Sequence, residues 1–141
     1  MQLANDINIT DCEWEVMRVV WTFKAATSRQ IIDILEQKYQ FKPTTTKTYL
    51  SRLVKKGALS TIKKGREYIY QAQFGEQAAN NQAVQNIFNQ LCAKTRGHTL
   101  INLVESTELA KDDIEDLLNV LQKKVNGAPT QVPCDCTPDC D

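Results

Sequence analysis

The chain has 141 residues, 42% of them hydrophobic, with 17 basic and 17 acidic side chains and no formal net charge. That length holds one ordinary domain with an appendage, or two small units. No stretch of about 18 apolar residues exists to span a membrane, and five cysteines, an odd number, do not suit a closed disulfide framework.

The N-terminal "MQLANDINIT" has neither the basic region nor the apolar run of a signal peptide, which points to the cytoplasm, where structural disulfides are rare. The neutral average hides an asymmetry. Residues 1–36 carry three basic and six acidic side chains, residues 37–66 nine basic and none acidic, and residues 67–141 five basic and eleven acidic. A cationic block of that size points to an anionic partner, most often nucleic acid.

In chain order, "ITDCEWEVMRVVW" opens with a capping box, Thr10 with Glu13 three residues on, and a hydrophobic staple from Ile9 to Trp14. Trp14, Met17 and Trp21 then share one face, and the pattern predicts a helix over 11–23. "ATSRQIIDILEQKY" repeats the device with Thr27 as cap, Gln30 at the third position and Ile31, Ile34 and Leu35 as the buried stripe. In "KPTTTKTYLSRLVKKG", Pro43 bars helix before it, Thr44 is the expected N-cap and Gly57 the expected C-cap. Leu50, Leu53 and Val54 make its apolar side, which Thr46 is placed to join. Thr48, Ser51, Arg52 and Lys55 make the opposite side, with Thr44, Thr45, Thr46 and Lys47 in and near the first turn. Short hydroxyls approach base edges, arginine grips guanine and lysine holds backbone, so this helix has the make-up of one that reads a duplex.

"LSTIKKGREYIYQA" predicts strands over 59–63 and 67–72 joined by a tight turn in which Gly65 supplies the unusual backbone angle. Its tip carries Lys63, Lys64 and Arg66. Three helices followed by a cationic hairpin is the order of a winged helix-turn-helix. Further on, residues 76–95 predict a helix with Val84, Ile87, Phe88, Leu91 and Cys92 on one side. "HTLINLVES" adds a short helix. A last helix, capped by Ser106 or Thr107, carries Ile114, Leu117, Leu118, Leu121 and Val125. These helices are too few to enclose their own apolar faces, and pairing with a second copy would cover them.

The expected architecture is therefore mainly α. It comprises a winged helix-turn-helix DNA-binding domain over 1–73, a helical dimerisation region over 74–126 and a flexible cysteine-containing tail over 127–141. The partners expected are double-stranded operator DNA and a second copy of the chain, with no membrane. No enzyme is expected: there is no Gly-rich phosphate loop, no nucleophile beside a base and only one histidine, His98.

"ITDCEWEVMRVVW", "KPTTTKTYLSRLVKKGALS" and "GREYIYQA" resemble the opening helix, recognition-helix block and wing of the BlaI/MecI/CopY family of repressors. The likeness runs across residues 7–72 and more loosely through the later helices. It implies a dimeric winged-helix transcriptional repressor. One branch of that family responds to β-lactams through proteolytic cleavage. The copper branch carries C-x-C-x4-C-x-C at its C-terminus. Here "PCDCTPDCD" places Cys134, Cys136 and Cys140 as C-x-C-x3-C, with three cysteines in place of four. Thiolates favour soft cations. Zinc usually takes four ligands, whereas Cu(I) accepts two or three, so Cu(I) is the expected metal and Zn(II) the second candidate. The resemblance implies that the metal-free or zinc form holds DNA and that Cu(I) releases it from genes for copper export, with a copper-delivering chaperone as a further candidate partner. Cys12 and Cys92, inside predicted amphipathic helices, read as structural thiols. Two rivals stand beside this reading: a β-lactam-type repressor inactivated by proteolysis, and a metal-buffering protein whose basic half binds nothing specific.

Overall fold

The computed structural model describes residues 7–139. Helix α1 (Asp11–Phe23) starts as its capping box dictates: the Thr10 hydroxyl accepts from the Glu13 N–H at 3.3 Å and the Glu13 carboxylate accepts from the Thr10 N–H at 3.0 Å. Strand β1 (Ala25–Thr27) follows, and helix α2 (Ser28–Tyr39) begins with the same exchange between Thr27 and Gln30, at 3.1 and 2.9 Å. Helix α3 (Pro43–Lys56) departs from expectation at its start. Lys42, not Thr44, is the N-cap, and no side chain caps it. Pro43 occupies the first helical position, where its missing N–H costs nothing and its fixed φ already suits a helix. Gly57 closes α3 at φ 85°, its N–H bonding the Leu53 and Val54 carbonyls.

Strands β2 (Leu59–Lys64) and β3 (Glu67–Ala72) pair antiparallel from Leu59 opposite Ala72 to Lys64 opposite Glu67. Gly65 at φ 66° makes the two-residue turn. Strand β1 adds on the other edge of β3, Ala26 opposite Tyr70, in the sheet order β1-β3-β2. Val16, Met17, Val20, Ile31, Leu35, Leu50 and Leu53 form a core in which none is more than 1% exposed. The Trp21 indole donates to the Phe74 carbonyl at 3.0 Å, which ties the segment after β3 to α1.

One polar pair lies within this packing. Glu13 is fully buried, and Lys56, at the end of α3, donates to its carboxylate at 2.5 Å and to the Asn8 carbonyl at 2.7 Å. Burial pushes the Glu13 carboxyl up, but the hydrogen bond and charge of Lys56, with the Thr10 N–H, pull it further down, to below its ordinary value. A carboxylate lowered in this way contributes stability that is fully present above its unfolded value, near about 4.3. That contribution is lost as pH falls through the folded value. Lys56→Met removes two of the lowering causes and keeps burial, so the loss of stability on acidification should be smaller than in the parent chain. Urea midpoints measured from about pH 3 to pH 7 test this; parallel profiles for the two chains would show that Lys56 does not govern Glu13.

The first compact unit ends at Val84 and the second begins at Gln85. Helix α4 (Glu76–Gln90) carries the chain from one to the other, and a 3-10 turn (Ala93–Thr95), helix α5 (Arg96–Ser106) and helix α6 (Lys111–Val125) follow. Two sequence expectations are corrected here. The helix expected over 76–95 stops at Gln90, so Leu91 and Cys92 lie outside it. Ala110, not Ser106 or Thr107, precedes α6; the hydroxyls of Ser106 and Thr107 instead bond the Leu103 carbonyl and finish α5. Among the described residues from 85 onward none is buried, and Ile101, Leu118 and Val125 are 55–62% exposed. No helix among the described residues is long and apolar enough to cross a membrane.

Candidate nucleic-acid interface and sulfur cluster

On α3, burial of Leu50 and Leu53 turns the opposite side outward. Thr44, Lys47, Thr48, Ser51, Arg52 and Lys55 are exposed and Thr45 is half-buried. Thr46 is not on that side. It is wholly buried, and its hydroxyl oxygen has no hydrogen-bond partner among the described residues. Its place four residues before Leu50 puts it on the core face, so its inclusion among the duplex-facing residues is corrected. The Thr48 hydroxyl donates to the Thr44 carbonyl at 3.0 Å. On the hairpin, Lys63, Lys64 and Arg66 are all exposed, and the Lys63 ammonium lies 5.9 Å from the centre of the Tyr68 ring. Of the cations on α3 and the hairpin, only Lys56 makes an ion pair among the described residues, the inward one to Glu13. Lys47, Arg52, Lys55, Lys63, Lys64 and Arg66 keep their charge for solvent or an anion.

The second unit brings sulfur together. The Sγ atoms of Cys92, Cys134 and Cys136 all lie within 4.8 Å of one another, and Cys92 donates to Cys134 at 3.4 Å. The tail is held there by Asp135, which accepts from the Ala93 N–H at 2.8 Å and pairs with Arg96 at 3.4 Å. Arg96 in turn donates to the Leu91 carbonyl at 3.1 Å. A hydrogen bond from Cys136, helped by N–H groups of Lys94, Asp135 and Thr95 and opposed by burial, lowers the Cys92 thiol below its ordinary value. The same hydrogen bond, burial and the negative charge of Cys92 and Asp135 raise Cys136. Cys134 is disulfide-bonded in this conformation, so the cluster offers three thiolates only after reduction.

Cys140 and Asp141 lie outside the described residues. Cys12 is half-buried in α1, consistent with a packed thiol, and His98 is exposed on α5. Sequence reasoning missed Cys92. No local signal marks it, because the sulfur it meets lies 42 residues further along the chain.

A model of the penicillinase repressor family matches residues 9–123. The chain belongs to that family. It is a DNA-binding transcriptional repressor, of a family whose members are regulators rather than enzymes. The repressor is 44% identical over 138 residues to an uncharacterised 16.5 kDa protein of Latilactobacillus sakei, covering 97% of this chain and 94% of that one. It is 31% identical over 116 residues to the methicillin resistance regulatory protein MecI of Mammaliicoccus sciuri, covering 82% and 94%. With the penicillinase repressor of Bacillus licheniformis it shares 30% over 118 residues, covering 84% and 92%. The solved DNA-binding domain of the repressor BlaI is 37% identical and covers 50% of this chain and 87% of its own, with a TM-score of 0.48.

Proposed function

We propose that this repressor acts in the cytoplasm, binds an operator palindrome as a homodimer and lets go when Cu(I) binds its C-terminal cysteines. The observation that carries the copper reading is the gathering of sulfur donors at the tail. A zinc–sulfur bond of about 2.3 Å puts two sulfurs of one tetrahedral ion roughly 3.8 Å apart. The separations at Cys134 and Cys136 suit a single ion of that size class. The donors are soft, as cuprous ion prefers, and the tail lies beyond residue 123, where the family match ends. Cys134 and Cys136 would hold the ion, with Cys140 as a further donor by sequence. Bound, the ion supplies a cross-link between segments of the chain. For that to release DNA, the metal must bind one global state better than the other. The exposed apolar residues of α5 and α6, in a unit with no buried residue among those described, support pairing with a second copy.

Titrating the reduced repressor–operator complex with Cu(I) and with Zn(II) at matched ionic strength tests this. Cu(I) should dissociate the complex and Zn(II) should not. A complex that persists through full cuprous loading would end the reading. The names of the relatives, MecI and penicillinase repressor, favour a second one, in which proteolysis ends repression. Under it Cu(I) has no effect and cleavage by the cognate protease does.

On the duplex side, α3 would enter the major groove and the hairpin would meet adjacent backbone. Arg52→Ala is expected to cost about 1–3 kcal/mol on the operator and much less on random duplex, as for a residue reading a base. Lys64→Ala should weaken both duplexes alike and flatten the dependence of affinity on salt. Salt titrations of both variants on both duplexes decide it. Equal losses for Arg52→Ala on every sequence would move it to the phosphates.

A further inference from the structure

We propose that Cys92 is a ligand of the cuprous site, so that the ion joins the tail to the start of α5. This rests on the copper reading above. Cys92 stands 42 residues before Cys134 and precedes the 3-10 turn that leads into α5. Its sulfur lies within 4.8 Å of both tail sulfurs, close enough for all three to share one ion. The approach is built by more than sulfur. Asp135, between Cys134 and Cys136, takes the Ala93 N–H and the Arg96 guanidinium, so the residue between the two tail donors is hydrogen-bonded to the residue after Cys92. Asp135 thereby acts as a clip that sets the register of the tail rather than as a metal ligand. A tail that bound metal only through its own cysteines would close a loop of a few residues and constrain little else. Adding Cys92 closes the loop from 92 to 134, which contains the whole of α5 and α6. Those helices carry the exposed apolar residues that a second copy would cover. Cross-linking a long loop restricts its open conformations, so cuprous loading bears directly on the helices expected to hold the dimer.

The full chain, reduced with a phosphine and kept under argon, can be treated with iodoacetamide with and without one equivalent of Cu(I), and labelling of each cysteine read by peptide mass spectrometry. Thiolates are both the ligands and the nucleophiles, so a coordinated cysteine is shielded. Cys92, Cys134 and Cys136 should be protected together, while labelling of Cys12 does not change. Cys134 and Cys136 protected with Cys92 reacting at its metal-free rate would overturn this inference and leave the copper reading standing. No protection at any cysteine would overturn both. Cys92→Ser, at a half-exposed position, should lower Cu(I) affinity at least about tenfold in competition with a chromophoric chelator. An affinity equal to that of the parent chain would also overturn the role given to Cys92.

Discussion

Leu53→Ala is expected to lower the stability of the DNA-binding unit by about 2–5 kcal/mol, the range for truncating a wholly buried leucine. Leu53 is 0% exposed and its carbonyl also takes the Gly57 N–H that ends α3. The unit is held by a short list of side chains, and a typical domain is stable by only about 5–15 kcal/mol, so a loss of this size leaves a sizeable unfolded fraction. Affinity for every duplex should then fall with the folded fraction, in contrast to Arg52→Ala, which should leave the urea midpoint alone. A shift below about 1 kcal/mol at unchanged denaturant slope would mean that Leu53 is not a keystone of the core.

Replacing Cys134, Cys136 and Cys140 together by Ser should leave the operator affinity of the metal-free protein intact and abolish its release by Cu(I). The tail cysteines belong to the second unit, whereas the cations that would meet DNA are on α3 and the β2–β3 hairpin of the first. Cys92 remains in this variant, but one thiolate does not make a site for an ion that seeks two or three. Operator titrations with and without Cu(I) give the answer, and a triple variant still displaced by the ion would remove the tail from the mechanism.

Much of the first unit was legible in the sequence because local chemistry and tertiary packing agree there. Thr10 with Glu13, Thr27 with Gln30, and Gly57 each satisfy backbone groups at a helix end, and each stands where its spacing placed it. Strand β1 was invisible because Ala25, Ala26 and Thr27 have no alternation of their own; they are extended by virtue of pairing with β3. Thr44 was misassigned because a favourable cap residue was weighed above the proline before it, which is already a good first helical residue. The second unit was harder to read. Helix α4 stops at Gln90, although Leu91, Ala93 and Lys94 beyond it are good helix formers. Once it stops, Cys92 is freed to face the tail. That juxtaposition spans 42 residues and has no local signature.

The hydroxyl of Thr48 bears on which bases the proposed placement of α3 in the groove would accept. Its only proton is committed to the Thr44 carbonyl of its own helix. What remains toward the groove is an oxygen with lone pairs, able to accept and not to donate. Adenine and cytosine present exocyclic amino hydrogens to such an oxygen, whereas the carbonyl oxygens of thymine and guanine would face it with nothing to give. With α3 in the major groove as proposed, the expected preference opposite residue 48 is adenine or cytosine over thymine or guanine.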